Sequence, residues 1–190
     1  LRQMRATPTF TFVAALTLAL GIGANSAIFA LVDATLLRPL PFREPDRVVM
    51  LWERTPGGER SDVSPLNLAD WTADSRTLTA TGGFVDYVGS MVMQGADGAS
   101  ESVSRQYVSS GFFDVLGVPP LVGRMFQPAD DYGVRDAVVL SEPYWRTRFA
   151  ADPAIVGRDL ILDGQPHTVV GVAPASFRWT HDSSIWGLIR

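Results

Sequence analysis

Residues 10–32 read FTFVAALTLALGIGANSAIFALV, and no charged residue occurs between Arg5 and Asp33. A helix of roughly 20 apolar residues crosses a bilayer core of about 30 Å. The buried helix of a soluble domain is usually shorter and interrupted by charges, and the apolar core of a cleavable signal peptide has only about 7–15 residues. The stretch therefore predicts a transmembrane helix, and we place the transmembrane segment at residues 10–37.

Small side chains recur every four residues along this predicted helix, at Ala15, Ala19, Gly23 and Ala27. A second row, which we expect beside the first, contains Thr17, Gly21 and Asn25. Rows of small residues let helix backbones approach closely in lipid, and a polar Asn favours a partner helix over lipid. The alternative is that Ala and Gly are simply frequent in membrane helices. The candidate helix-packing residues are Ala15, Ala19, Gly23, Asn25 and Ala27.

The charges at the two ends of the helix indicate its orientation. Arg2 and Arg5 precede the apolar stretch, whereas the first charge after it is Asp33. The positive-inside rule favours a cytoplasmic N-terminus at residues 1–9 and places residues 38–190 outside, although Arg38 and Arg43 weaken the asymmetry. The chain begins with Leu rather than Met, so we expect it to be a fragment of a longer reading frame.

The composition excludes several classes of protein. The net charge is −4, and an acidic domain is a poor nucleic-acid binder because such binding depends on neutralising phosphates. There is no Cys, so the chain has neither a disulfide nor a thiolate nucleophile. All 16 basic residues are Arg. Without Lys, the chain cannot contain a P-loop ATPase site or a Schiff-base site.

Helix and strand signals alternate in residues 38–190. Ser64-Pro65 is a typical helix start, Gly117 is a typical helix end, and Asp163-Gly164 is a typical hairpin turn. The predicted helices are residues 65–75, 112–116 and 142–149. The predicted strands are a buried strand at 48–52, two short strands around Gly89-Ser90, and strands at 101–108, 137–140, 159–163 and 167–172. We therefore predict an α+β fold, with one N-terminal transmembrane helix followed by a mixed core domain.

Candidate catalytic and metal-binding residues are few. Only His167 and His181 are candidate bases near neutral pH, and we expect His167 at an exposed hairpin position rather than in a catalytic site. Asp130-Asp131 lacks the spacing of an EF-hand, so a solvated loop is expected instead of a calcium site. Phe112-Phe113 and the five Trp residues could line a hydrophobic groove, but core packing is the expected role. We predict no catalytic residue, no cofactor and no metal.

Four ordered segments together resemble the MacB/FtsX-like family of ABC transporter permeases. These segments, which include SPLNLADW and VSSGFFDVLGVPPLVGRMF, are residues 16–49, 64–71, 108–126 and 138–174. The resemblance implies the first membrane helix of a permease followed by a MacB-type periplasmic core domain, in the bacterial inner (plasma) membrane. It also implies a non-catalytic subunit that converts ATP hydrolysis by a separate cytoplasmic ATPase into movement of periplasmic domains during export or efflux.

The implied partners are the lipid bilayer, other permease membrane helices or a second permease unit, the ATPase and a periplasmic adaptor. One alternative is a membrane-anchored periplasmic interaction or binding module with no transport role of its own. A third hypothesis is an anchored hydrolase, which would need one of the two His residues as its base.

Overall fold

In a computed structural model of the chain, residues 8–33, 42–95, 98–133, 136–177, 179 and 181–189 are described. The chain divides into two compact units, Leu1–Leu40 and Pro41–Arg190. In the first unit, α1 spans Pro8–Val32. Its stretch Phe12–Val32 is long and apolar enough to cross a membrane, and none of it is buried.

The second unit is rich in strands. Its helices are α2 (Pro65–Asp74), α3 (Phe112–Leu116) and α4 (Glu142–Phe149). Its strands are β1 (Glu53–Arg54), β2 (Arg60–Ser61), β3 (Gly89–Gln94), β4 (Ser100–Val108), β5 (Val122–Gly123), β6 (Asp136–Ser141), β7 (Asp159–Leu162), β8 (Gln165–Ala173) and β9 (Ile185–Leu188). This arrangement confirms the predicted fold class, an apolar N-terminal helix followed by a mixed, sheet-rich core.

Local sequence signals set the ends of these elements. The side chain of Ser64 accepts a hydrogen bond from the Asn67 amide, and the side chain of Ser141 accepts one from the Tyr144 amide, so each Ser caps a helix N-terminus. Gly117 ends α3 with φ 65°, a left-handed conformation that favours glycine. Positive φ at both Asp163 and Gly164 forms the tight turn between β7 and β8.

Six strands close into a ring. The order is β8-β6-β9-β4-β3-β7, and β7 also pairs with the first half of β8, where Leu160 lies opposite His167. Two of the pairings, β6–β8 and β4–β9, are parallel, and the others in the ring are antiparallel. A closed ring leaves no free edge along its paired strands. The short strand β5 extends the sheet beside the second half of β8.

Two apolar clusters occupy the two faces of this ring. The inner cluster takes a side chain from each of the six strands, and Trp145 of α4 and Ile155 complete it. The outer cluster lies between the ring and α3, where Phe112 and Phe113 pack against Phe177 and Trp186. The predicted core role of the Phe112-Phe113 pair is therefore confirmed.

Two of the strand predictions are wrong. Residues 48–52 belong to neither sheet, since β1 begins only at Glu53. Without a described strand beside them they are not buried, and Val49 is 62% exposed. Gly89 and Ser90 do not separate two strands but lie within β3, where they pair with Arg105 and Ser104. Residue 84 makes only an isolated bridge, to Val108.

Candidate functional site

The small residues predicted to pack against other helices lie on α1. Ala15, Ala19, Gly23 and Ala27 share one side of the helix, because each follows the last by about one turn. The second row, which contains Asn25, does not lie beside the first row as we expected. Asn25 follows Gly23 by two residues, which is a rotation of about 200° around the helix axis, so its row lies on the opposite side and not beside the first.

The five candidate packing residues are all exposed in α1. Apart from the adjoining backbone of α1 itself, a Cβ added at Gly21 or at Gly23 would have no described atom within 4 Å. The hydroxyl of Thr17 donates a hydrogen bond to the Val13 carbonyl at 2.9 Å, so that polar side chain is satisfied within its own helix. Both sides of α1 thus have room for a neighbouring helix, and the packing role of these residues stays a prediction.

A polar cluster lies at one end of the strand ring. On its strand (β4, β6 or β8), each of Arg105, Asp136 and His167 lies two residues from a member of the inner cluster, so all three are on the same side of the sheet as that cluster. His167 is only 3% exposed, so the expectation of an exposed hairpin position was wrong. The reason is that β7 pairs with both β3 and β8 and so closes the ring, which places the His167 side chain in its interior. Its Nε2 lies 3.5 Å from Asp136 Oδ2, and its Nδ1 lies 3.0 Å from the Gln165 carbonyl oxygen.

Arg105 is buried without a full set of hydrogen-bond partners. Its Nη1 lies 2.7 Å from the Met91 sulfur, and its guanidinium carbon lies 4.0 Å from the centre of the Tyr107 ring. Its Nε has no hydrogen-bond partner among the described residues. Burial lowers the pKa of the Arg105 guanidinium because it disfavours the charged form.

Glu101 of β4 binds two side chains of α4 and so joins the two elements. The Tyr144 hydroxyl donates a hydrogen bond to Glu101 Oε1 at 2.6 Å, and Arg148 Nε donates to the same oxygen at 3.1 Å. Burial, followed by the bond to Glu101, raises the pKa of Tyr144, so its hydroxyl keeps the proton that it donates. This contact fixes α4 across one end of the ring.

The acidic residues of the loop before β6 serve a structural role. Arg124 binds Asp130 through two hydrogen bonds of 2.6 and 2.8 Å, and the Ser110 hydroxyl donates to Asp131 at 2.6 Å. The side-chain bond to Arg124 lowers the pKa of Asp130. Among the described residues, no group of three or more His, Asp or Glu side chains is placed to hold a metal ion.

Residues 48–52 form an exposed apolar strip, a surface feature that their sequence pattern did not predict. Val49 is 62%, Met50 52%, Leu51 38% and Trp52 42% exposed, and Val48 alone packs against the outer cluster. Four consecutive apolar residues are typical of a buried strand, which explains the wrong prediction. A contiguous apolar surface of this kind is typical of a contact site.

A shallow cleft of about 410 Å³ lies between α4 and the loop that joins β8 to β9. Tyr144 and Thr147 line one side, and Phe177 and Trp186 line the other. His181 belongs to this rim, where its Nε2 lies 3.6 Å from Asp86 Oδ1. The two His residues therefore lie apart, one inside the ring and one at the rim of the cleft.

These features define the class of the molecule as a sheet-rich domain that follows one apolar helix long enough to span a membrane. The chain belongs to the family of MacB-like periplasmic core domains, whose model matches residues 11–187. The family match confirms the resemblance inferred from the four sequence segments. The chain is thus a MacB-like periplasmic core domain of an ABC transporter permease, which is a transporter component.

A solved structure shows the same fold at low sequence identity. The periplasmic region of MacB from Actinobacillus actinomycetemcomitans aligns with a TM-score of 0.52 and 16% identity over 77% of this chain and 60% of that one. The extracellular domain of the noncanonic ABC-type transporter YknZ from Gram-positive bacteria aligns with a TM-score of 0.47 and 18% identity, over 63% of this chain and 59% of that one. The chain thus spans about 60% of the length of each. No curated protein matches its sequence.

Proposed function

We propose that this chain is part of the permease subunit of an ABC transporter and couples ATP hydrolysis by a separate ATPase to movement of periplasmic domains during export or efflux. One observation carries this proposal: a single family match runs from within the apolar helix to the last strand of the folded domain. We therefore treat the helix and the domain as one functional unit. In this unit, movement of the helix in the membrane would be transmitted to the domain through the polypeptide chain.

The construction of the domain supports a mechanical role. Six strands form a closed ring, and Val138, Leu140, Leu162, Val169 and Val172 inside it are fully buried. Close-packed interiors have low compressibility and transmit strain. A domain built in this way moves as one body, as a relay between a membrane subunit and an external partner requires.

The proposed subunit is non-catalytic. The 190 residues contain no Lys, which a P-loop requires, and this supports our assignment of ATP hydrolysis to a separate cytoplasmic ATPase. The other proposed partners are further permease helices or a second permease unit, which would pack on α1, and a periplasmic adaptor. We place residues 1–9 in the cytoplasm, 10–37 in the inner membrane and 38–190 in the periplasm.

A membrane-anchored interaction module is the second candidate function. The observation that favours it is the exposed apolar strip, since a contact surface serves a binding module as well as a transporter. In that case the domain would bind its partner without any ATP-driven motion.

Purification of the full-length natural protein with its bound partners distinguishes the two proposals. We expect an isolated complex in detergent or nanodiscs to hydrolyse ATP, with inhibition by orthovanadate, and the 190-residue chain purified alone to show no hydrolysis. Crosslinking the periplasmic domains of the complex should slow ATP turnover if motion is coupled. Turnover that is unaffected by such crosslinks would contradict coupling, and a complex that contains no ATPase would support the interaction module.

A further inference from the structure

The folded domain holds the start of its own chain through two consecutive residues, Phe42 and Arg43. Phe42 packs against the outer cluster, and its ring centre lies 5.6 Å from that of Trp179. The backbone amide of Arg43 donates a hydrogen bond of 3.3 Å to the carbonyl oxygen of Leu116, the last residue of α3. One residue is thus fixed by its ring and the next by its main chain, and we call the two residues the anchor.

Gly117 makes room for the side chain of Arg43. A Cβ at residue 117 would overlap the Cβ of Arg43 and would lie 3.2 Å from its Cδ. The left-handed conformation of Gly117 also ends α3, so the same glycine closes the helix and receives the Arg43 side chain. The aliphatic part of Arg43 therefore packs on the end of α3, although the residue as a whole is exposed.

Aromatic contacts continue from the anchor into the strand ring. Trp179 packs edge-to-face on Phe112 of α3, with 5.2 Å between the ring centres. The next residue of α3, Phe113, is only 1% exposed and packs on Trp186 of β9 at 5.7 Å. Strand β9 lies between β4 and β6 in the ring. Because close-packed side chains transmit strain, a displacement of α3 would pass to the ring through β9.

Beyond the anchor, the chain is held weakly for several residues. Residues 44, 46 and 47 are exposed, and Arg47 binds Glu44 within the same turn at 2.8 Å. Such an exposed pair contributes little to stability. The next side chain along the described chain that packs against the outer cluster is Val48. A pull along the polypeptide would therefore act on the anchor before it reached Val48.

We propose that Phe42 and Arg43 form the point at which movement of α1 enters the folded domain. The inference rests on the proposed function and deepens it, because it names the residues that receive the movement. Residues 34–41 lie outside the described part of the chain, and Phe42 is the first described residue after Asp33. The anchor passes movement to α3 and from there to the ring, so the four residues that follow it need not carry the load.

Two insertions of the same four flexible residues (GSGS) test where the movement enters. The measured quantity is the coupling ratio, which is the ATP turnover of the full-length complex divided by its turnover after the periplasmic domains are crosslinked. An insert between residues 40 and 41 places slack before the anchor and should lower the ratio at least about twofold, toward 1. The matched control has the insert between residues 43 and 44, both exposed, and should keep the natural ratio. An equal effect of the two inserts would overturn the proposal.

A pair of substitutions tests the side-chain contact itself. Phe42→Ala removes one ring from Trp179 and should lower the coupling ratio, whereas Phe42→Leu should preserve most of it. Phe84→Ala is the matched control, because its ring also packs on Trp179, at 5.0 Å, and is also partly buried against the outer cluster, but lies outside the anchor. Slow hydrogen exchange of residues 137–140 should show that each variant is folded. A merely structural role would make Phe42→Ala and Phe84→Ala equivalent, which would contradict the proposal.

The failure of this inference can be told from the failure of the proposed function. A coupling ratio of 1 in the natural complex would overturn ATP-driven coupling and the anchor with it. A natural ratio well above 1 that changed neither with the insert before residue 41 nor with Phe42→Ala would overturn the anchor alone. The proposed function would then stand, with movement entering the domain elsewhere.

Discussion

The guanidinium group of Arg105, on strand β4, fills the space beside Gly187 of the neighbouring strand β9, where any other residue would have a Cβ. A Cβ at residue 187 would collide with the Nη2 and Nε atoms of Arg105, which is itself only 5% exposed. Tyr107 and Met91 hold the guanidinium from other sides, so it has little room to move away. The polar end of the ring therefore depends on a residue without a side chain.

We predict that Gly187→Ala lowers the free energy of unfolding by about 1–3 kcal/mol, the usual cost of overpacking a core. The measurement is urea unfolding of the detergent-solubilised chain, followed by tryptophan fluorescence. Gly89→Ala on β3 is the matched control, because its Cβ would meet its nearest atoms at 3.8 Å and 3.9 Å. In an Arg105→Ala background the cost of Gly187→Ala should shrink. Equal effects of the two Gly substitutions would show that Arg105 does not fill this space tightly.

The ion pair between Arg124 and Asp130 predicts a pH dependence of stability. The Arg124 bond lowers the pKa of Asp130 in the folded chain, so the stabilisation is complete above the unfolded value of about 3.9 and is lost as the pH falls through the folded value. Asp130→Asn should cost about 1 kcal/mol at pH 7, a modest figure because Arg124 is partly exposed.

Parallel denaturation of the two proteins across the pH range checks this prediction. The difference in stability between the natural chain and Asp130→Asn should stay constant from about pH 5 to pH 8 and close below about pH 4. A difference that persisted undiminished at pH 2 would show that the carboxylate charge is not responsible for it.

The orientation of the chain can be measured with single Cys residues on the Cys-free background. In intact cells, a membrane-impermeant maleimide should label Tyr132→Cys, whose residue is 91% exposed, and should not label Gln3→Cys. After permeabilisation both variants should react. Labelling of Gln3→Cys alone in intact cells would reverse the proposed topology.

The small-residue side of α1 can be tested by one substitution at two positions. Gly23→Leu fills the row of Ala15, Ala19, Gly23 and Ala27, and should reduce assembly with the other membrane segments of the full-length permease by at least about fivefold, since close backbone approach depends on small residues. Gly21→Leu makes the same change on the opposite side of the helix. Quantitative co-purification of differently tagged segments gives the measure. Loss with Gly21→Leu alone would move the contact to the side of Asn25.

Local chemistry alone determined many elements of this protein. A Ser residue caps α2 and another caps α4, Gly117 ends α3, and Asp163-Gly164 turns β7 into β8, because caps and tight turns depend on the few residues that form them. The apolar stretch of α1 was equally plain in the sequence, since its signal lies in length and absence of charge. Four ordered segments also sufficed to recognise the family.

Only the tertiary structure decided where these elements lie and what covers them. His167 became buried because β7 pairs with two strands at once, a long-range event that no local pattern encodes. Residues 48–52 carry the sequence of a buried strand and yet lie exposed, because burial depends on a partner and not on the strand itself. The sequence by itself determined the helices, the turns and the family, whereas pairing between distant strands decided which side chains face the core and which remain open for contact.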